Sequence, residues 1–265
     1  MSWIVRVRCA AALSEPVTTL AIIHNTTGIA ETTAPNRDSQ IEVLAGFDDY
    51  AHADSFAAAA ADFEIESTSV QTVSSEDWAQ THTSTVTFGG ATLHLEVGTA
   101  FGHGAHPTTA LALAALAHLR VTPASSTLLD VGCGTGVLSI AAAVQGFTAT
   151  GCDVDPEAVA IATRNAQRNR VAATVSFVAA SPTQLATPQW IRGSTGFSVI
   201  VANTLIGVHE SEAAAIQALA SPTATLIISG LLNEHVSRAR AAYPSFELTS
   251  TTTRDQWVLL QGARR

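Results

Sequence analysis

The chain has 265 residues, 47% of them hydrophobic and only 13% charged, a balance that excludes a disordered chain and leaves room for one large domain or two small ones. Its formal net charge is −9, with all 13 basic residues arginine and no lysine at all, so the surface disfavours a nucleic-acid backbone and suits a basic partner through long-range attraction. Cys9, Cys133 and Cys152 are too few and scattered for a disulfide framework, no stretch approaches the roughly 20 apolar residues of a membrane span, and residues 1–12 carry no secretory pattern, so a reducing, cytoplasmic setting is expected.

In chain order, residues 3–9 alternate apolar and polar side chains and predict a half-buried strand. Ser14 is placed to cap a short helix over 15–24. Residues 29–33 and 40–47 read as a strand pair around the turn-forming 34–38, followed by an alanine-rich helix over 48–61 and a strand over 63–73. The order β-α-β-β-α-β predicts a small α+β, ferredoxin-like domain over residues 1–74. Residues 75–99, with two short strand candidates around Gly89-Gly90, read as a linker into a second domain over 100–265. That domain opens on a glycine- and histidine-bearing loop and a helix over 110–120, with Thr108 the expected cap. Strands at 127–131, 148–153, 174–179, 197–202 and 224–229 then alternate with helices at 137–145, 156–169, 208–220 and 233–243, with one irregular stretch holding Pro182 and Pro188. Two last strands, 246–252 and 256–261, are close enough to pair antiparallel. The expected fold is α/β, a doubly wound sheet with an antiparallel edge.

The most informative stretch runs from Asp130 through Gly132, Gly134 and Gly136, between a buried strand and the first turn of a helix. Three glycines at alternate positions leave the backbone bare for a ligand lying against the helix N-terminus. Asp153 ends the next strand, about 20 residues past the first glycine, where an acidic side chain takes hydrogen bonds from ribose hydroxyls. A dinucleotide fingerprint would need a further glycine at Val137 and fails. The unit reads as nucleoside-binding. A cofactor with an amino-acid end suits it: backbone amides for the carboxylate, acidic groups for the ammonium.

Two further stretches carry chemistry. The loop from Phe101 to Thr109 can fold over a bound nucleoside, its hydroxyls reaching the cofactor; His103 and His106 lack a third ligand nearby, so no metal is expected. Asn203, at the carboxyl end of the fourth parallel strand, faces the reacting centre by the switch-point rule, and its amide oxygen can hold a nucleophilic nitrogen. Thr204, Leu205 and Ile206 offer no ring to stack on a base, which disfavours a nucleobase substrate.

Asp130-Val131-Gly132-Cys133-Gly134-Thr135-Gly136 resembles motif I of the class I S-adenosylmethionine-dependent methyltransferases. With Phe101-Gly102, His106-Pro107-Thr108-Thr109, Asp153-Val154-Asp155-Pro156, Asn203-Thr204-Leu205, Ser229-Gly230 and Gln256-Trp257, the order is similar to that of the family that methylates ribosomal protein L-eleven. His103 and Ala105 stand where the family loop carries threonines. The resemblance implies a Rossmann-like domain binding S-adenosylmethionine, a ferredoxin-like domain presenting the substrate, and methylation of lysine side chains and an α-amine of a ribosomal protein. Carried over by motif, Thr109, Gly132, Asp153 and Asn203 would contact the cofactor, joined by Phe101, Asp130, Gly134 and Gly136, with Asn203 the expected catalytic residue. No residue stands out as a base, so proton loss to water is expected, and His103 is a candidate peculiar to this sequence. The alternatives are a methyltransferase of another protein or small amine, and a cofactor-binding module without turnover.

Overall fold

The computed structural model describes residues 2–10, 13–24, 26, 28–33, 40–47, 49–73, 83–96, 106–121, 126–187 and 196–265, and contacts divide the chain into two compact units. The first contains β1 (Ser2–Ala10), α1 (Ser14–Ile23), β2 (Gly28–Thr33), β3 (Gln40–Phe47), α2 (Tyr50–Ala60) and β4 (Ser67–Val73). Its four strands pair antiparallel in the order β2-β3-β1-β4. Alternation along β1 and β3 turns Val5, Val7, Cys9, Val43, Ala45 and Phe47 to a core shared with Val17 and Ala21 of α1 and Ala53, Phe56 and Ala60 of α2. Intervening positions carry Arg6 and Arg8, which both pair with the buried Glu42. Asp49 caps α2, its carboxylate accepting from the His52 amide at 2.9 Å. The strand expected from residue 63 begins at Ser67, because Phe63 still closes the end of α2, its amide donating to the Ala60 carbonyl. The turn expected at 34–38 lies outside the described residues.

The second unit begins earlier in the chain than the sequence predicts. Within the expected linker over 75–99, residues 84–95 fold with this unit. They form the hairpin β5 (Thr83–Phe88) and β6 (Ala91–Glu96), turning at Gly89-Gly90, both at positive φ. The reason is alternation: Val86, Phe88, Leu93 and Leu95 fall on one side and join the unit's core. There follow α3 (Pro107–Ala117), β7 (Thr127–Val131), α4 (Val137–Gln145), β8 (Thr148–Asp153), α5 (Pro156–Arg168), β9 (Val175–Ala179) and α6 (Pro182–Leu185). The chain ends with β10 (Phe197–Asn203), α7 (Ile206–Leu219), β11 (Ala220–Leu232), a 3-10 turn, α8 (Val236–Ala242), β12 (Phe246–Arg254) and β13 (Trp257–Arg264).

These strands form one sheet in the order β12-β13-β11-β10-β7-β8-β9. β7 to β11 run parallel, and β13 lies antiparallel to both β11 and β12, the doubly wound sheet with an antiparallel edge that the sequence predicts. Alternate residues feed two cores, Leu128, Val199, Val201 and Ile227 toward α3 and α4, Leu129, Val131, Ile200 and Ile228 toward α7 and α8. β11 runs past its expected end at residue 229 because its pairing with β13 shifts register between Ile228 and Leu231, where Gly230 takes a φ of +81° and the strand continues past the bulge. The irregular stretch holds α6, closed by a capping box between Ser181 and Gln184. Neighbouring β7 and β10 lead to opposite halves of the sheet, so a crevice opens at their carboxyl ends. Among the described residues no helix is long and apolar enough to cross a membrane.

Candidate active site

At the carboxyl end of β7, Gly132, Gly134 and Gly136 all take positive φ, of 67°, 50° and 78°. Two of them also exclude a side chain sterically. A Cβ at Gly132 would lie 2.6 Å from Thr204 Cγ2, and one at Gly136 would lie 2.8 Å from Phe177 Cζ and 2.9 Å from Ala162 Cβ. The turn is stapled to β8. Gly132 and Cys133 amides donate to the Cys152 carbonyl at 2.8 and 3.0 Å, Gly136 donates back to Cys133 at 2.8 Å, and Gly134 donates to Asp153 Oδ2 at 2.9 Å. The amides expected to take a ligand carboxylate are thus largely committed within the fold. What the glycines offer instead is a backbone that lets a ligand approach closely, beside an α4 N-terminus with no side-chain cap.

Asp130 lies beneath this turn, 1% exposed. Its Oδ2 accepts from the Ser139 amide (3.0 Å) and hydroxyl (2.7 Å), which anchors the first turn of α4. Its Oδ1 is buried and has no hydrogen-bond partner among the described residues. Burial pushes this carboxyl up to about 7 against the Ser139 hydrogen bonds, with the nearby Asp153 charge adding a little. Asp153, half-buried at the tip of β8, accepts from Gly134 through Oδ2 and from the Asp155 amide (3.1 Å) through Oδ1. Each oxygen keeps a second lone pair, so the carboxylate is oriented and still able to accept hydroxyl donors.

Across the crevice, Asn203 ends β10 and its Nδ2 donates to Thr109 Oγ1 at 3.4 Å; its Oδ1 is buried without a partner among the described residues. Thr109 is buried in the first turn of α3. The cap of that helix is His106, not the expected Thr108: Pro107 occupies the first helical position, and the His106 ring accepts from the Thr108 amide at 3.3 Å. His106 also sits edge-on to Trp257, at 5.1 Å between ring centres. Phe101, His103 and Ala105 lie outside the described residues. Thus the fold brings together Asp130, Gly132, Gly134, Gly136 and Asp153 at one wall and Thr109 and Asn203 at the other, with the Gly132–Thr204 approach joining the two.

Ser139, which anchors Asp130, has no single-residue signature in the sequence. Ser229-Gly230 does show one, a small polar residue and a glycine near the end of a strand. A Cβ at Gly230 would lie 2.3 Å from the Thr204 carbonyl oxygen, so the pair packs directly on the turn that follows Asn203.

The family model described as ribosomal protein L11 methyltransferase (PrmA) matches residues 81–265. The chain is 39% identical over 182 residues to a ribosomal protein L11 methyltransferase of Azotobacter vinelandii, covering 67% of this chain and 58% of that protein. It is likewise 39% identical over 175 residues to one of Pseudomonas aeruginosa, covering 65% and 56%. The chain therefore spans a little over half the length of these curated relatives. The crystal structure of a ribosomal protein L11 methylase from Lactobacillus delbrueckii subsp. bulgaricus aligns with a TM-score of 0.56 and 27% identity, over 64% of this chain and 84% of that one. The 16S rRNA N2 G1207 methyltransferase RsmC of T. thermophilus, in complex with AdoMet and guanosine, shares the fold at a TM-score of 0.56 and 15% identity, over 89% of this chain and 58% of that one. All the described site residues fall within the matched stretch, and the chain belongs to the ribosomal protein L11 methyltransferase (PrmA) family, with a class I, Rossmann-like methyltransferase sheet.

Proposed function

We propose that the chain is an S-adenosylmethionine-dependent protein N-methyltransferase acting on lysine side chains, an α-amine, or both, of a ribosomal protein. The observation that carries this reading is Asn203, whose buried Oδ1 has no partner among the described residues and which precedes Thr204, the residue that packs against Gly132 of the glycine turn of a nucleoside-type βαβ unit. Asp153, held by two backbone amides, would accept from the ribose hydroxyls. Gly132 and Gly136 keep the turn free of side chains where the cofactor would lie, and Asp130 Oδ1, without a partner among the described residues, supplies a buried acceptor suited to an ammonium. When bound, the cofactor supplies a methyl group on a positively charged sulfur.

The chain's own residues then have to deliver a neutral nitrogen. A lysine of ordinary pKa must lose its proton, which at pH 7.5 costs about 4 kcal/mol. Entry into a poorly solvated crevice beside a positive sulfur lowers that cost. Asn203 Oδ1 would accept a hydrogen bond from the amine and fix the direction of its lone pair, and the amine's proton would pass to water. No described residue is placed as a general base, and His103 lies outside the described residues.

The net charge of −9 favours a basic protein partner over nucleic acid, and the buried thiols of Cys133 and Cys152 fit a reducing cytoplasm. The first unit, with its β-α-β-β-α-β order and antiparallel sheet, is read as a ferredoxin-like substrate reader. Because the family match begins at residue 81, that unit stands outside it, and another protein or a small amine is the second reading. Titration calorimetry tests the cofactor assignment. S-adenosylmethionine should bind and NAD should not, and Asp153→Ala should weaken binding about 10- to 150-fold by removing charged hydrogen bonds of about 1.5–3 kcal/mol. Unchanged binding in that variant contradicts the assignment.

A further inference from the structure

His209 belongs to none of the groups assigned above, yet it is completely buried in the first turn of α7. Its Nε2 lies 3.1 Å from the Ser229 carbonyl oxygen and 3.4 Å from Thr204 Oγ1, and its Nδ1 lies 3.0 Å from the Tyr243 hydroxyl. A carbonyl only accepts, so Nε2 carries the proton; Nδ1 is then the acceptor and the tyrosine hydroxyl the donor. Every polar atom of the ring is used, and the ring packs edge-on against Tyr243. Burial lowers the imidazole's pKa and keeps it neutral, in agreement with that pattern.

The partners close a circuit. Ser229, besides accepting from His209, donates its hydroxyl to the Thr108 carbonyl at 3.1 Å, and its carbonyl also takes the Thr204 amide at 3.3 Å. Thr108 precedes Thr109, whose hydroxyl meets Asn203, and Asn203 precedes Thr204. The Asn203–Thr109 contact is long, so the amide's orientation depends on how firmly the two backbones flanking it are held. α7 has no side-chain cap of its own, its N-cap being the exposed Leu205.

We infer that His209 is a positioning residue for the reaction: through Ser229 and Thr204 it holds Asn203 and Thr109 in register, with Tyr243 fixing the ring. The inference rests on the methyltransferase reading of the site, and it makes no use of His209 as an acid or base.

The test uses the full chain with His209→Phe, which keeps bulk and the edge contact but loses all the ring's hydrogen bonds, and His209→Gln, which restores a donor toward Ser229. For His209→Phe we expect turnover to fall about 10- to 100-fold, with affinity for S-adenosylhomocysteine within about threefold of the parent, and His209→Gln to recover most of the loss. If His209 acts through Asn203, adding His209→Phe to Asn203→Ala lowers turnover no further; multiplied losses would mean a separate structural role and overturn the inference. The side-chain amide resonance of Asn203 in cofactor-free protein gives a readout independent of activity. It should shift in His209→Phe and return in His209→Gln, and an unmoved resonance contradicts positioning even if the parent chain methylates nothing. Should His209→Phe not fold, Tyr243→Phe releases the ring from one side, and it should move the same resonance in the same direction; no movement there also counts against the inference.

Discussion

Asn203 carries an acceptor that the fold leaves open. Its Oδ1 is buried and unpartnered among the described residues, and its one hydrogen bond, to Thr109, is long. Removing the amide therefore takes little from the folded state and much from the alignment of an incoming nitrogen. Asn203→Ala should lower turnover about 100-fold while thermal unfolding changes little; a clear loss of melting temperature with unchanged rate per folded molecule would assign the residue a structural role. Asp130 serves the fold as well, its Oδ2 anchoring the first turn of α4. Its folded pKa is raised to about 7 from an ordinary value of 3.8. The protonated form is thus favoured on folding, so its stabilisation is complete below pH 3.8 and is lost as pH rises through about 7. His209, whose pKa is lowered, works with the opposite sign: its stabilisation is lost as pH falls below its unfolded value of about 6.5. Urea unfolding of the cofactor-free protein from pH 4 to 7.5 should show the decline with rising pH shallower in Asp130→Asn than in the parent, and equal slopes would contradict the assignment.

At the scale of elements, β7, α4 and β8 end where the sequence predicts because each boundary is local: apolar runs bounded by glycines, with Gly146 closing α4. The glycine turn, Asp153 and Asn203 were legible for the same reason, since strand ends and turn residues announce themselves through spacing. What escaped depends mostly on contacts more distant in sequence. Ser139 matters only because Asp130 lies beneath it, and His209 is defined by Ser229 and Tyr243; the His106 cap, by contrast, is local and follows from Pro107 taking the first helical position. The hairpin at 84–95 was legible as strands but not as part of the second unit, because its partners in the core lie beyond residue 110. The turn itself offers a stringent check. Gly136→Ala adds a left-handed alanine and a Cβ within 2.9 Å of Phe177 and Ala162, so it should destabilise by about 2–4 kcal/mol and weaken cofactor binding. Gly207, inside α7 with nothing within 4 Å of its Cβ position, is the control, and its alanine variant should be neutral or slightly stabilising. Equal effects at the two positions in urea unfolding would remove the steric argument.

At the scale of the whole molecule, two units are proposed to divide the labour, the seven-stranded sheet binding cofactor and the smaller antiparallel sheet reading the substrate. The chain has no lysine of its own to accept a methyl group, so side-chain label in a reaction mixture belongs to the partner. A chain beginning at Thr83 keeps the hairpin and the complete seven-stranded sheet. The most direct measurement is mass spectrometry of ribosomal proteins from the same source, incubated with the whole chain and isotopically labelled S-adenosylmethionine. The account predicts labelled methyl groups on amine nitrogens of one basic ribosomal protein. They should be nearly absent with Asn203→Ala, and absent with the chain beginning at Thr83 even where that chain still binds the cofactor. Label in RNA alone, label on no protein although the cofactor binds, or full protein methylation by the shortened chain would contradict it.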